Sequence, residues 1–316
     1  MKIAVTGAAG FVGRAVCAEV ARKGHDAIPL VRRAAGLARE IMIGDISQDA
    51  PPPLFADAVI HLAARAHVMN DDPATAEQAY MQANVEGTRR AIDMAMAAGA
   101  KRFIFVSSVK AMGERTLPGE AFTETCLPAP EDAYGRSKLA AEQLAKEMTA
   151  QTGLELVIVR PPLVYGPGVK GNFATLIRLS CAGLPLPIGR INNRRSMISL
   201  ANLADLLVHV AVHSAAAGRT VLPSDGQDVS TPDLVRSIAA AANRTARIVP
   251  FPLGLMSFLA DRLGKGDMFS RLSGNLQLDG RAALTALEWH SVQTMNEGIR
   301  SAVQHLSPPN IQTVTR

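Results

Sequence analysis

Cysteine is scarce: the 316-residue chain holds three, Cys17, Cys126 and Cys181. They lie too far apart for a disulfide framework or a zinc site, so they read as inert core or loop thiols. Aromatic residues make up only 4% of the chain, and no run of consecutive Lys or Arg exceeds a pair. A basic stripe with interleaved aromatics is therefore missing, which argues against a nucleic-acid-binding module. No stretch approaches the roughly 20 apolar residues of a membrane span. The first residues run directly into a strand pattern, with no signal-peptide pattern ahead of it, so the expected location is the cytoplasm. Segment 249–260 is unusually apolar and carries Pro250, Pro252 and Gly254. It reads as a core or partner-facing helix rather than a membrane contact.

What the chain does have is core material. Hydrophobic residues are 48% and charged residues 19% of it, which excludes a disordered chain. Lys and Arg number 33 against 28 Asp and Glu, a formal charge of +5 that suits an anionic small-molecule ligand. Apolar strand-like runs at 3–5, 27–31, 58–62, 103–106 and 156–159 alternate with helical runs at 11–23, 77–98 and 138–152. Such alternation predicts a parallel sheet covered on both faces. Past residue 163 Gly and Pro become frequent and helical segments shorten. A helix at 201–214 and a strand near 220–222 return to the sheet. The division that follows is a nucleotide-binding unit of residues 1–162 with parts of 196–223, and a smaller lobe of 163–195 and 224–306. A polar tail, 307–316, reads as frayed.

Six motifs carry chemistry. Gly7, Gly10 and Gly13 follow the first strand and open the first helix, with Phe11 and Val12 between them. Glycine there permits a tight turn and close backbone approach, and the helix start offers N–H groups to a pyrophosphate. Arg32 and Arg33 stand at the end of the second strand, where NAD-selecting sites place a carboxylate. A guanidinium cannot accept from a ribose 2′-OH but pairs with a 2′-phosphate, so NADP(H) is favoured over NAD(H). Asp45 can accept from an adenine amino group, with Ile46 on the ring. Leu62, Ala63 and Ala64 end a strand with side chains small enough for backbone approach; neighbouring His61 reads as structural. Tyr134 and Lys138 are four residues apart, about 6 Å along one helix face. A nearby ammonium would stabilise the phenolate of Tyr134 for proton exchange with a substrate oxygen. Ser107 and Ser108 close a strand ahead of this pair.

Together these motifs resemble the extended short-chain dehydrogenases/reductases of the nucleotide-sugar epimerase/dehydratase type. Asn84-Val-Glu-Gly-Thr88, Arg160-Pro161, Val164-Tyr-Gly-Pro167 and the run 195–205 also match in order, so the resemblance covers nearly the whole chain. It implies an α/β fold, a Rossmann-type doubly wound parallel sheet with a small C-terminal substrate-binding lobe. It implies a catalytic set of Ser108, Tyr134 and Lys138, with Asn84 anchoring backbone near the nicotinamide and Arg160 and Pro161 beside it. A UDP-sugar substrate would meet Ser108, Asn172, Arg195 and Arg271. A homodimer through helices 89–98 and 138–152 is also implied.

Departures from the family pattern narrow the chemistry. Sugar 4,6-dehydratases carry an acidic pair after the catalytic hydroxyl, where this chain has Val109 and Lys110. UDP-glucose 4-epimerases have Asn where this chain has Leu163. Segment 160–173 is similar to a subgroup from bacterial surface-polysaccharide loci. The expected reaction is hydride transfer at sugar C4, reducing a UDP-4-keto-6-deoxy-N-acetylhexosamine. The alternatives are a UDP-glucose or UDP-N-acetylglucosamine 4-epimerase and, more remotely, a non-catalytic NADP(H) sensor.

Overall fold

The computed structural model describes residues 1–49, 51–66, 73–264 and 266–306; the expected tail at 307–316 lies outside them. Strands β1 (Lys2–Thr6), β2 (Asp26–Val31), β3 (Ile41–Met42), β4 (Ala58–His61), β5 (Arg102–Val106) and β6 (Glu155–Val159) appear in that chain order. Next come β7 (Leu163–Tyr165), β8 (Met197–Ser199) and β9 (Thr220–Val221). Seven of them form one sheet in the order β3-β2-β1-β4-β5-β6-β9, all pairs parallel. The sheet is doubly wound, as expected. Strand order reverses beside β1, which pairs with both β2 and β4. Loops leaving the carboxyl ends of β1 and β4 diverge there and open a crevice.

The helices are α1 (Phe11–Arg22), α2 (Pro73–Met81), α3 (Gly87–Ala97), α4 (Ala133–Ala150), α5 (Gly171–Cys181) and α6 (Leu200–Val212). They continue with α7 (Thr231–Ala241), α8 (Leu253–Arg262), α9 (Gly266–Ser273), α10 (Arg281–Ala286) and α11 (Met295–Leu306). Alternation along the strands sends side chains to two cores. Ile3 and Val5 join Val16 and Val20 of α1 and Leu203 and Leu207 of α6 on one face. Ala4, Val59, Phe103 and Phe105 meet Ala91, Ala95 and Ala141 of α3 and α4 on the other. Alanine on those two helices lets them lie close to the sheet, which keeps α4 beside the crevice.

A further apolar cluster lies beyond the main sheet. Tyr165, Phe173, Met197, Ile238 and Ile299 form it between α5, α7, α11 and the parallel pair β7-β8. Tyr165 is fully buried and its phenol donates to Asp225 Oδ2 at 2.5 Å. Among the described residues no helix is long and apolar enough to cross a membrane.

Two expectations change. The helix expected over 77–98 is α2 and α3 joined by a π-helical turn, Gln82–Glu86. Asn84 sits in that wide turn and is buried, its carboxamide committed to neighbouring elements, which gives the turn a local cause. Segment 249–260 does not enter the core. It leads into α8, a helix that buries none of its residues.

Candidate functional site

The glycine motif is a turn that a side chain would obstruct. Gly7 has φ +67, and a Cβ on it would meet the Ala63 nitrogen at 2.8 Å. A Cβ on Gly13 would meet the Gly7 carbonyl oxygen at 2.2 Å. The α1 start therefore packs against its own turn and against the β4 exit. Gly10 caps α1 without a side chain, so no side-chain acceptor competes for the first-turn N–H groups of Phe11, Val12 and Gly13. This cradle fits a dinucleotide pyrophosphate. At the end of β5, two strands from β1 in the sheet, Ser107 Oγ is buried with no hydrogen-bond partner among the described residues.

At the adenosine end Arg32 lies 4.0 Å from Asp45, both side chains exposed, at 67% and 41%. Arg33 is also exposed. Ser47 donates to Asp45 Oδ1 through backbone and hydroxyl, and these bonds hold the carboxyl below its usual range. Ile46 is 8% exposed and packs in the sheet core against Gly87, so here it acts as a packing residue.

A buried polar chain runs from this cradle to α4. Thr6 Oγ1 accepts from the Leu62 and Ala63 N–H groups and donates to His61 Nδ1 at 2.7 Å. Nε2 of His61 then carries the proton toward Thr88 Oγ1, which itself donates to the Asn84 carbonyl. Asn84 accepts from Arg65 N–H and donates to Arg65 C=O and Ser137 Oγ, and Ser137 donates to the Tyr134 carbonyl. Burial, with Lys138's charge adding, pushes the His61 imidazole down to about 3. An unfolded histidine protonates near 6.5, so the unfolded chain binds more protons in between, and acid removes stability over that window. Lys138 has the same sign in a higher window, since burial lowers it from 10.5 to about 7. Urea midpoints should therefore fall as pH drops from about 6.5 towards 3 and rise above about 7. A flat profile across both windows would contradict this placement of His61 and Lys138.

Helix α4 begins earlier than expected, because Asp132 accepts from Gly135 N–H and caps it. Tyr134 thus lies in the first turn, hydrogen-bonded to Ser108 and edge-on to Tyr80 at 6.0 Å. Ser108 Oγ also accepts from Lys110 N–H at the start of a short 3₁₀ turn. Lys138 is 2% exposed, its ammonium 4.4 Å from the Phe105 ring centroid. The expected lowering of the Tyr134 pKa is not what this structure has. Burial pushes the phenol up to about 12, with the Ser108 bond opposing, so it holds its proton at neutral pH. Pro161 is buried and its carbonyl accepts from Val109 N–H, tying the Ser108 turn to β6. Arg160 points elsewhere: its guanidinium forms a buried bidentate pair with Glu142, at 2.9 and 2.5 Å, and touches Met112 Sδ.

Across the crevice Arg195 donates to the Gly274 carbonyl and Arg271 lies 3.7 Å from Glu114. Burial lowers the Arg195 pKa, Arg271 adds to that effect, and Glu114 opposes it. Glu114 itself pairs with Lys110 at 2.7 Å, so Arg195 and Arg271 bring two positive charges close to one carboxylate that is already shared. Asn172 is exposed in the first turn of α5 and has no contact with these groups among the described residues. Sequence reasoning missed Tyr80, Glu114 and Glu142. Glu142 had a signal, being four residues beyond Lys138 on the Ala-lined face of α4.

A model of the NAD dependent epimerase/dehydratase family matches residues 3–222. The chain belongs to that family. A UDP-glucose 4-epimerase of Vibrio cholerae is 41% identical over 311 residues, 96% of this chain and 94% of that protein. The structure of MoeE5 in complex with UDP-glucose and NAD is 25% identical, with TM-score 0.73 over 96% of this chain and 98% of that one. A UDP-N-acetylglucosamine 4-epimerase from Bacillus cereus shares the fold at TM-score 0.76, with 18% identity, over 98% of this chain and 100% of that one. Family members use a nicotinamide dinucleotide, and the glycine cradle at β1 is the part of this epimerase-family chain shaped to receive one.

Proposed function

We propose that the protein transfers hydride at C4 of a UDP-hexose, and that it reduces a UDP-4-keto-6-deoxy-N-acetylhexosamine for surface-polysaccharide (O-antigen) precursor synthesis in the cytoplasm. The observation that carries this reading is the half-buried Tyr134 phenol, protonated at neutral pH and hydrogen-bonded to Ser108. A phenol holding its proton is an acid awaiting a carbonyl oxygen, and Ser108 adds a second contact to that oxygen. Lys138 lies one turn along the same helix face and holds the nicotinamide ribose. The nicotinamide, when bound, supplies the hydride. Asn84 keeps the backbone at Arg65 in place beside it, and Arg195 and Arg271 take the substrate diphosphate, with Asn172 at its nucleotide. Residues 1–162 with parts of 196–223 form the cofactor-binding unit, and 163–195 with 224–306 form the substrate lobe. Helices α3 and α4 supply a homodimer contact.

Dehydration does not fit this reading. Val109 is buried, and Lys110 is paired with both Glu114 and Asp132. The second reading, a UDP-glucose or UDP-N-acetylglucosamine 4-epimerase, is favoured by the 41% identical relative. An epimerase regenerates its cofactor in place, whereas a reductase exchanges it at each turnover.

The cofactor separates the two. The Arg32–Asp45 pair is exposed and long, so it contributes about 0–1 kcal/mol and yields readily to a 2′-phosphate. Purified protein, denatured and analysed by mass, is expected to release little nucleotide. It is then expected to bind NADPH more tightly than NADH, and Arg32→Ala to abolish that preference. Near-stoichiometric NAD+, with turnover of UDP-glucose or UDP-N-acetylglucosamine without added cofactor, would replace the reductase by the epimerase.

A further inference from the structure

Helix α8 is the anomaly of the surface. It buries none of its residues, yet Leu253, Leu255, Phe258 and Leu259 stand 38%, 49%, 54% and 45% exposed, followed by Leu263 at 71%. Single exposed leucines are ordinary, but this run is continuous along one helix and its exit. The flanks are cationic. Arg244 and Arg247 are exposed in the approach to α8. Arg262 ends it, with its guanidinium 5.1 Å from the Phe258 ring centroid. Asp261, the one acidic side chain of the helix, lies against Gly266 at the start of α9.

We propose that α8 and its flanking arginines dock the protein on an anionic lipid bilayer. Large apolar side chains beside arginines match an interface where acyl chains and anionic headgroups meet. Arginine stems cover apolar surface while their heads reach the phosphates. A second copy of this chain suits the face less well. A two-fold contact sets the same patch against itself, bringing the like-charged arginines of the two copies together. Docking also orients the cleft, since α9 carries Arg271, which lies 3.7 Å from Glu114. The inference is independent of which C4 reaction the site performs.

The test is co-sedimentation of the full chain with phosphatidylcholine vesicles, with and without phosphatidylglycerol. The protein should sediment with the anionic vesicles, remain in solution with the neutral ones, and dissociate as salt is raised. Arg244→Glu and Arg262→Glu should each weaken partitioning about fivefold or more. A Leu255→Gln, Phe258→Gln, Leu259→Gln variant should abolish it. Because the substituted side chains are all exposed, these variants should keep the parent's thermal midpoint and cofactor binding. Failure to bind anionic vesicles at low salt overturns the proposal. So does equal binding to neutral vesicles, or a concentration-dependent dimer, seen by sedimentation velocity, that the Leu/Phe variant dissolves.

Discussion

Tyr134→Phe is expected to lower kcat by about 10²–10⁴-fold, the range for losing a positioned general acid. The substitution removes one oxygen and leaves the ring edge-on to Tyr80. The fold and the glycine cradle should be untouched, so cofactor affinity measured by calorimetry should stay near that of the parent. Ser108 remains to contact the substrate oxygen, but it has no comparable proton to give. Burial pushes the phenol up to about 12, so it carries its proton at neutral pH and gives it up only as negative charge develops on the substrate oxygen. Steady-state turnover of the variant within a few-fold of the parent would remove Tyr134 from the chemistry, whichever C4 reaction is assayed.

Glu142→Gln is expected to destabilise the protein by about 3–5 kcal/mol, the cost of leaving a buried charge without its partner. Glu142 and Arg160 have side chains only 1% and 4% exposed. Neutralising the carboxylate strands the guanidinium between α4 and the end of β6. Replacing both, as Glu142→Leu with Arg160→Met, should recover much of the loss, because two apolar side chains need no mutual charge. Urea unfolding of the three proteins checks this. Loss of less than about 1 kcal/mol in Glu142→Gln would mean that the pair is not closed in solution.

The same residue affects Lys138. Burial lowers that ammonium to about 7 and Glu142 opposes the shift, so removing the carboxylate lowers it further. Activity that depends on charged Lys138 should then fail at a lower pH than in the parent. The double replacement should restore stability without restoring this alkaline limb. That separates a positioning role for Glu142 from a purely structural one.

Much of this was legible without coordinates. Alternating runs of β-type and helical residues specify a parallel sheet, because strands buried on both faces must be apolar at successive positions. The glycine spacing after β1 specifies a turn that tolerates no side chain, and the contacts of Gly7 and Gly13 supply the reason. Tyr134 and Lys138 share a helix face through spacing alone. Less could be read where burial outweighs pattern. An apolar run at 249–260 has the composition of a core helix, and nothing local to it says that its large side chains stay exposed. The 77–98 run has helical periodicity throughout, and the π turn within it depends on where the Arg65 backbone and Ser137 lie.

The sequence by itself determined the family, the sheet, the glycine turn after β1 and the shared helix face of Tyr134 and Lys138, because each depends on neighbours close in the chain or on a short motif. Only the tertiary structure decided the charge states and the partners. It turned Arg160 to Glu142, brought Glu114 to Lys110 and Arg271, kept the proton on Tyr134 and left the apolar side chains of α8 exposed. Those outcomes depend on desolvation and on contacts between residues far apart in the chain, which no local pattern encodes.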